Sequence, residues 1–400
     1  MQPIENGNNL PNIILVLIDS LNRHHLAAYA PGYIQTPNLT AFARRAWRMD
    51  NHFVGSLPCM PARREIFAGF KEMMWRPWGP LEPFDARGPR LLEASGYTTA
   101  IVTDHYHYWE EAANGYLQAF QSAETVRGHE IDFWKPPAPP DEKLPRWVQN
   151  IERWRPGLGR RYYGNVREFR DEGDFFPAKV MTGAVRWLRA NASASAPFFL
   201  QVESFDVHEP FHVPEPYASM YGDGAARDRF TLWPPYQDVD RLAQFMDVAT
   251  PDELNFIRAQ YAGKLTMVDR WFGELLAALD DLALWENTVV LVTTDHGHDL
   301  GERRTYGKQY PHYDSHANIP LFVWHPAYPG NGRARSALTS TVDLFATVLE
   351  TAGVPAPERT HSRSLLPLIS GATTHHRDAL LYGTFGQGVC CTDGEWTIFK

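Results

Sequence analysis

Ile13-Ile-Leu-Val-Leu-Ile18 is an unbroken apolar run closed by Asp19. Its length suits a strand, and its lack of alternation requires cover on both faces. The same pattern returns at Thr98–Thr103, Pro197–Val202, Thr288–Thr294 and Leu321–Trp324. Between these runs lie helical stretches at Leu39–Ala46, Ala178–Arg189 and Glu253–Leu279. In the last of them, Phe256, Ala259, Ala262, Leu265 and Val268 recur at helical spacing. Buried strands alternating with helices predict an α/β fold, a large and mainly parallel (mixed) sheet sandwiched between helices.

A length of 400 residues alone suggests two or three domains, yet α/β enzymes of this size often use one sheet. Hydrophobic residues at 44% and charged residues at 21% exclude wholesale disorder. A net charge of −9 excludes a global basic field for nucleic acid and leaves room for a local pocket for a small anion. Three cysteines, two of them adjacent at Cys390 and Cys391, cannot form a disulfide framework. The first residues lack a basic leader, and Ile13–Ile18 is too short to span a bilayer, so a cytoplasmic protein without membrane contact is expected.

Residues 128–174, rich in Pro, Trp and Arg, read as an insertion over the sheet, part of a lid or of a homo-oligomer contact. From Ala379 onward the pattern is short strands with a turn at Asp393-Gly394, broken off at Lys400. The expected division is therefore a main domain over 1–375 and, over 376–400, the incomplete beginning of a small antiparallel subdomain.

Acidic and histidine residues cluster just after the strands. Asp19 follows the first, Asp104, His105 and His107 the second, Asp206 and His208 the third, Asp295, His296 and His298 the fourth. Ligands of open α/β sheets bind outside the carboxyl ends of strands, so these positions predict one shared polar site. Singly, each acid is also a candidate helix cap, and each histidine a turn residue. Asp19, Asp295 and His296 are candidate ligands for a divalent cation, because carboxylate oxygens suit Mg, Ca or Mn and imidazole tilts toward a transition metal. In Ser56-Leu-Pro-Cys59-Met-Pro61-Ala-Arg63-Arg64, the prolines predict an extended entry and a helix beginning after Pro61. Cys59 is then either a thiol activated by a helix N-terminus and two arginines or a small buried hydrophobe.

Cys59-Met-Pro61-Ala-Arg63 resembles the C-x-P-x-R signature of the sulfatase family, within the alkaline phosphatase superfamily. The resemblance extends along the chain in order. Asn12 to Ala43 is similar to the family's opening strand, metal aspartate and T-P-N-L segment; Tyr261 to Arg270 to its long helix; Thr293-Thr-Asp295-His296-Gly297 to its second metal motif. Gly307-Lys308, Tyr313 to Leu321 and Ser362 to Leu368 continue the match. The resemblance implies an alkaline-phosphatase-like fold and a metal-dependent hydrolase of sulfate esters. In that family the cysteine is oxidised to formylglycine by a maturation enzyme, and its hydrate is the nucleophile.

By the same resemblance, Asp19, Cys59, Asp295 and His296 would surround one metal ion. Arg63 would stabilise the formylglycine, Lys308 would contact the transferred group, and His208 would protonate the leaving oxygen or bind the substrate anion. His107 stands where the family has a lysine-x-histidine element. Asp19 is followed by Ser20 rather than a second aspartate, and Thr103 to His107 replaces that element. A less anionic site puts manganese beside calcium, and phosphonate monoesters or phosphodiesters beside sulfate esters. A non-catalytic anion-binding relative with unmodified Cys59 is the alternative of another class.

Overall fold

The computed structural model describes residues 10–110 and 113–400. The opening segment 1–9, where a leader was not expected, lies outside them. In chain order the strands are β1 (Asn12–Ile18), β2 (Trp47–Phe53), β3 (Ser56–Leu57), β4 (Thr98–Thr103), β5 (Ser122–Thr125), β6 (Phe198–Ser204) and β7 (Thr288–Thr293). They continue with β8 (Asp299–Leu300), β9 (Tyr306–Gly307), β10 (Leu321–Trp324), β11 (Ala334–Ser340), β12 (Leu380–Thr384), β13 (Gly388–Thr392) and β14 (Thr397–Phe399). Eight of them form one sheet in the order β11-β2-β10-β7-β1-β6-β4-β5. Only β10 runs against its neighbours; β1 pairs in parallel with both β6 and β7.

The apolar run of β1 meets its requirement for two-sided cover. Ile14, Val16 and Ile18 enter one core with residues of the helices Pro37–Arg45, Phe176–Asn191 and Pro251–Asp281. Ile13, Leu15 and Leu17 enter a second core with the helices Cys59–Ala68, Gly88–Ala94 and Asp343–Thr351. Each fully buried Ile or Leu contributes about 1.5–3 kcal/mol, so a charge at Leu15 would open the sheet at its centre. The long helix starts sharply because the Thr250 hydroxyl accepts from the Glu253 N–H and Pro251 occupies the first turn.

Three strands of the eight-stranded sheet, β2, β5 and β11, lie outside the runs singled out above. Their sequences, WRMDNHF, SAET and ARSALTS, mix polar with apolar residues because β5 and β11 are sheet edges and β2 lies next to one. Segment 128–174 is more ordered than its composition suggested, with helices Arg146–Trp154 and Leu158–Val166. Its side chains reach the stretch after β6: Asn150 donates to the Arg227 carbonyl, and Trp147 stacks on His212.

The C-terminal strands form an antiparallel set, β12-β13-β14. A fourth strand, β3, joins it in parallel through Gly383↔Ser56 and Thr384↔Leu57, so this small sheet grips the residues just before Cys59. Among the described residues no helix is long and apolar enough to cross a membrane.

Candidate active site

The helix carrying Cys59 begins at Cys59 itself, not after Pro61 as the prolines suggested. Pro61 sits in the first turn, where the missing N–H has no intrahelical partner to lose. This start turns Cys59 and Arg63, one helical turn apart, toward the carboxyl ends of the central strands. Both are fully or nearly fully buried.

Arg63 organises the centre. Its guanidinium donates to Asp19 Oδ2 at 2.9 Å, to Asp295 Oδ2 at 2.6 Å and to Glu203 Oε1 at 2.6 Å, and also to the Cys59 carbonyl at 3.0 Å. Three buried carboxylates around one guanidinium are tolerable because each is directly hydrogen-bonded. Arg64, the other expected neighbour of the thiol, turns away to Glu72 at 2.5 Å. Burial, with Asp19 nearby, pushes the Cys59 thiol up.

Asp19, Cys59, Asp295 and His296 bring one ligand atom each within 4.8 Å of one another. Their donor chemistry fits a divalent cation. His296 donates from Nδ1 to the Gly297 carbonyl at 2.9 Å, which leaves the Nε2 lone pair facing Cys59 Sγ at 3.2 Å. Burial lowers the pKa of His296 to about 3, so it is a neutral donor. Asp295 Oδ1 accepts from the N–H groups of Ser20 and His296. Ser20, at φ 60, also donates its hydroxyl to Asp19 Oδ1 at 2.8 Å, so the residue that departs from the family's second aspartate helps to aim the first. Burial and the Asp295 charge raise Asp19. Burial also acts to raise Asp295, but His296 and Arg63 outweigh it and hold Asp295 below the carboxylate range.

Opposite this cluster stand Lys308 and His208. Lys308 Nζ lies 3.7 Å from Cys59 Sγ and donates to His208 Nε2 at 2.7 Å. Burial and the Lys308 charge lower His208 well below its usual range, while Cys59 and Asp19 keep Lys308 raised against the effect of burial. Phe205 stacks on the His208 ring at 4.4 Å. The two residues border a pocket of about 230 Å³ whose walls include Trp78, His107, Tyr236, Gln309, Thr384 and Gln387.

The other polar residues at the strand ends divide by task. His107 lines the pocket, touches the Trp78 ring at 4.6 Å and pairs with Glu110. Its neighbour His105 is the one near the cluster, with Nδ1 3.9 Å from Asp19 Oδ2. Asp104 accepts from the Phe205 N–H, and Asp206 is held by His129 and Lys264. Neither aspartate joins the cluster. Glu203 and Glu130 were not singled out from the sequence. Glu203 had a usable signal, a charge inside the apolar strand FFLQVES; Glu130 lies in segment 128–174, where no pattern pointed to it.

The family model for Sulfatase matches residues 11–354. The multifunctional alkaline phosphatase superfamily protein PehA of Trinickia caryophylli is 26% identical, over 93% of this chain and 79% of its own. A choline-sulfatase of Rhizobium meliloti is 25% identical, over 96% of this chain and 77% of its own. In fold, the chain resembles the phosphonate monoester hydrolase of Agrobacterium radiobacter, with a TM-score of 0.71 at 20% identity, covering 98% of this chain and 87% of that one. With the family's match running from the first strand past the helix Asp343–Thr351, the chain belongs to the sulfatase family.

Proposed function

We propose that the protein is a metal-dependent hydrolase of sulfate esters whose nucleophile is formylglycine made from Cys59. The observation carrying this reading is the position of Cys59, between a neutral imidazole with two carboxylates on one side and the Lys308 ammonium on the other. When present, a divalent cation held by Asp19, Asp295 and His296 supplies Lewis acidity toward an ester oxygen, and formylglycine supplies the attacking hydroxyl. The chain's own residues do the rest. Lys308 binds an equatorial oxygen of the transferred group, where negative charge develops. His208 moves a proton at Nε2 to the leaving oxygen. Arg63 keeps the carboxylates and the residue 59 backbone in register, and Trp78, His107 and Tyr236 shield the leaving group from water.

Two carboxylate oxygens with one imidazole nitrogen suit calcium or manganese. A reducing, cytoplasmic setting fits Cys59, Cys390 and Cys391, none of which is in a disulfide. A formylglycine-generating maturation enzyme is the implied partner, and segment 128–174 is the surface proposed for self-association. Phosphonate monoesters and phosphodiesters form the second reading, favoured by the likeness to PehA and to a phosphonate monoester hydrolase.

The test has three arms. Intact mass of protein made with a maturation enzyme should show Cys59 lighter by the change from thiol to aldehyde. Aryl sulfate and aryl phosphonate assayed side by side should favour the sulfate. After chelation, calcium and manganese added separately should raise the melting temperature by a few degrees, and should not do so in Asp295→Asn. A protein that keeps Cys59 unmodified and turns over neither ester would favour the anion-binding alternative.

A further inference from the structure

Glu130 is a glutamate at φ 44, in the left-handed region that a side chain rarely adopts, and it is 1% exposed. Such a conformation persists only where the surroundings over-determine it, and here they do. Asp132 accepts from the Gly128 N–H and pairs with Arg127, while His129 is tied to Asp206. The clamp delivers the Glu130 carboxylate to the back of His208. Glu130 Oε1 lies 2.9 Å from His208 Nδ1 and accepts from the Tyr236 hydroxyl at 3.4 Å, while Oε2 accepts from the Tyr106 hydroxyl at 2.8 Å. Glu209 also lies beside Nδ1, at 3.2 Å through Oε2 and 3.1 Å through its carbonyl, but its carboxylate is shared with His298 at 3.0 Å.

We infer that Glu130 is a positioning residue for proton transfer by His208, a carboxylate–histidine pair supplied by segment 128–174. The inference rests on the proposed role of His208. With Nδ1 held by the Glu209 carbonyl and faced by the Glu130 carboxylate, Nε2 is the nitrogen that exchanges protons with Lys308 and with the substrate. As the ester bond breaks, its electron pair passes to the leaving oxygen, which takes the proton from Nε2. Glu130 offsets the positive charge the ring gains when Nε2 takes the Lys308 proton ahead of that transfer, as a carboxylate does behind any general-acid imidazole. Tyr236 joins the same carboxylate to the pocket wall, so the orientation of the pair is coupled to whatever fills the pocket.

The experiment compares mature, metal-loaded wild type with Glu130→Gln, His208→Ala and the double variant, using esters whose leaving groups run from nitrophenols to simple alcohols. Glu130→Gln should lower kcat on alcohol leaving groups about 10–100-fold and change nitrophenol esters less than about threefold, because only poor leaving groups need the proton. In the His208→Ala background the substitution should have no further effect. Nitrogen-15 spectra of labelled histidines should place the His208 proton on Nδ1 in the wild type and show that resonance shifted in Glu130→Gln. Equal loss across leaving groups, loss that adds to that of His208→Ala, or an unmoved His208 resonance would make Glu130 a folding residue only. Wild type inactive on every ester, with normal formylglycine and metal content, would overturn the hydrolase reading first and this pair with it.

Discussion

The two walls of the site are built differently. One wall, Asp19, Asp295, His296 and Glu203, hangs from the ends of three adjacent central strands and is bound by Arg63 into one buried ionic cluster. The other, Lys308, His208, Glu130 and Tyr236, comes from loops and from segment 128–174, and it borders the pocket. In the first wall every charge depends on its neighbours for burial. In the second, Lys308, His208 and Tyr236 face the space that substrate would fill, with Glu130 behind His208. The first wall should therefore govern folding and metal affinity, and the second turnover.

Cys59 belongs to both walls, so its loss should be the most severe. Cys59→Ala should lower turnover by at least about 10⁴-fold, as removal of a nucleophile does, with little change in melting temperature. Residual turnover near wild type would detach Cys59 from the chemistry altogether. Arg63→Met should come next, costing about 3–5 kcal/mol of stability, since it strands three buried carboxylates. Chemical unfolding measures this; a cost below about 1 kcal/mol would dissolve the distinction between the walls.

Lys308→Ala and His208→Ala should each remove about 2–4 kcal/mol of transition-state stabilisation while leaving melting temperature and metal content nearly unchanged. Turnover and thermal unfolding on the same preparations test this. If either variant loses as much stability as Arg63→Met, the second wall is structural after all.

A buried ion pair outside both walls gives the smallest effect and a baseline. Burial raises the Asp343 carboxyl, but His376 and Arg377 outweigh it and bring its pKa from 3.8 to about 2. A lowered carboxylate contributes its full stability above the unfolded value and loses it as pH falls from about 4 toward 2. Asp343→Asn should thus be less stable than wild type by about 2 kcal/mol at pH 7, and the gap should narrow between pH 4 and pH 2. A gap independent of pH would mean that its hydrogen bonds, not its charge, do the stabilising.

The same contrast explains what could be read from the sequence. Runs such as Ile13–Ile18 and Thr288–Thr293 advertise two-sided burial, and a polar residue right after such a run stands at a strand end by necessity. Asp19, Asp295 and His296 were legible for that reason, and Cys59 and Arg63 through a motif of fixed spacing. His208 was placed by its position after the third strand and given its role by resemblance, while Lys308 rested on resemblance alone, because loop geometry has no period. Glu130 had no signal: its partner is 78 positions away, and its placement depends on the ties of Arg127, His129 and Asp132. The strands β2 and β11 escaped notice because a sheet margin imposes little hydrophobic pattern.

The pairing of β3 with β12 bears on when the chain can be matured. Leu57 is held by Thr384, and Cys59 is 2% exposed, so a modifying enzyme has no access to the finished protein. During synthesis the clasp does not yet exist, because Thr384 emerges roughly 325 residues after Cys59. At about 5–20 residues per second, that interval is roughly 15–65 s. On the proposed reading, oxidation of Cys59 is thus a race against translation, and a chain that closes before it is modified keeps its thiol.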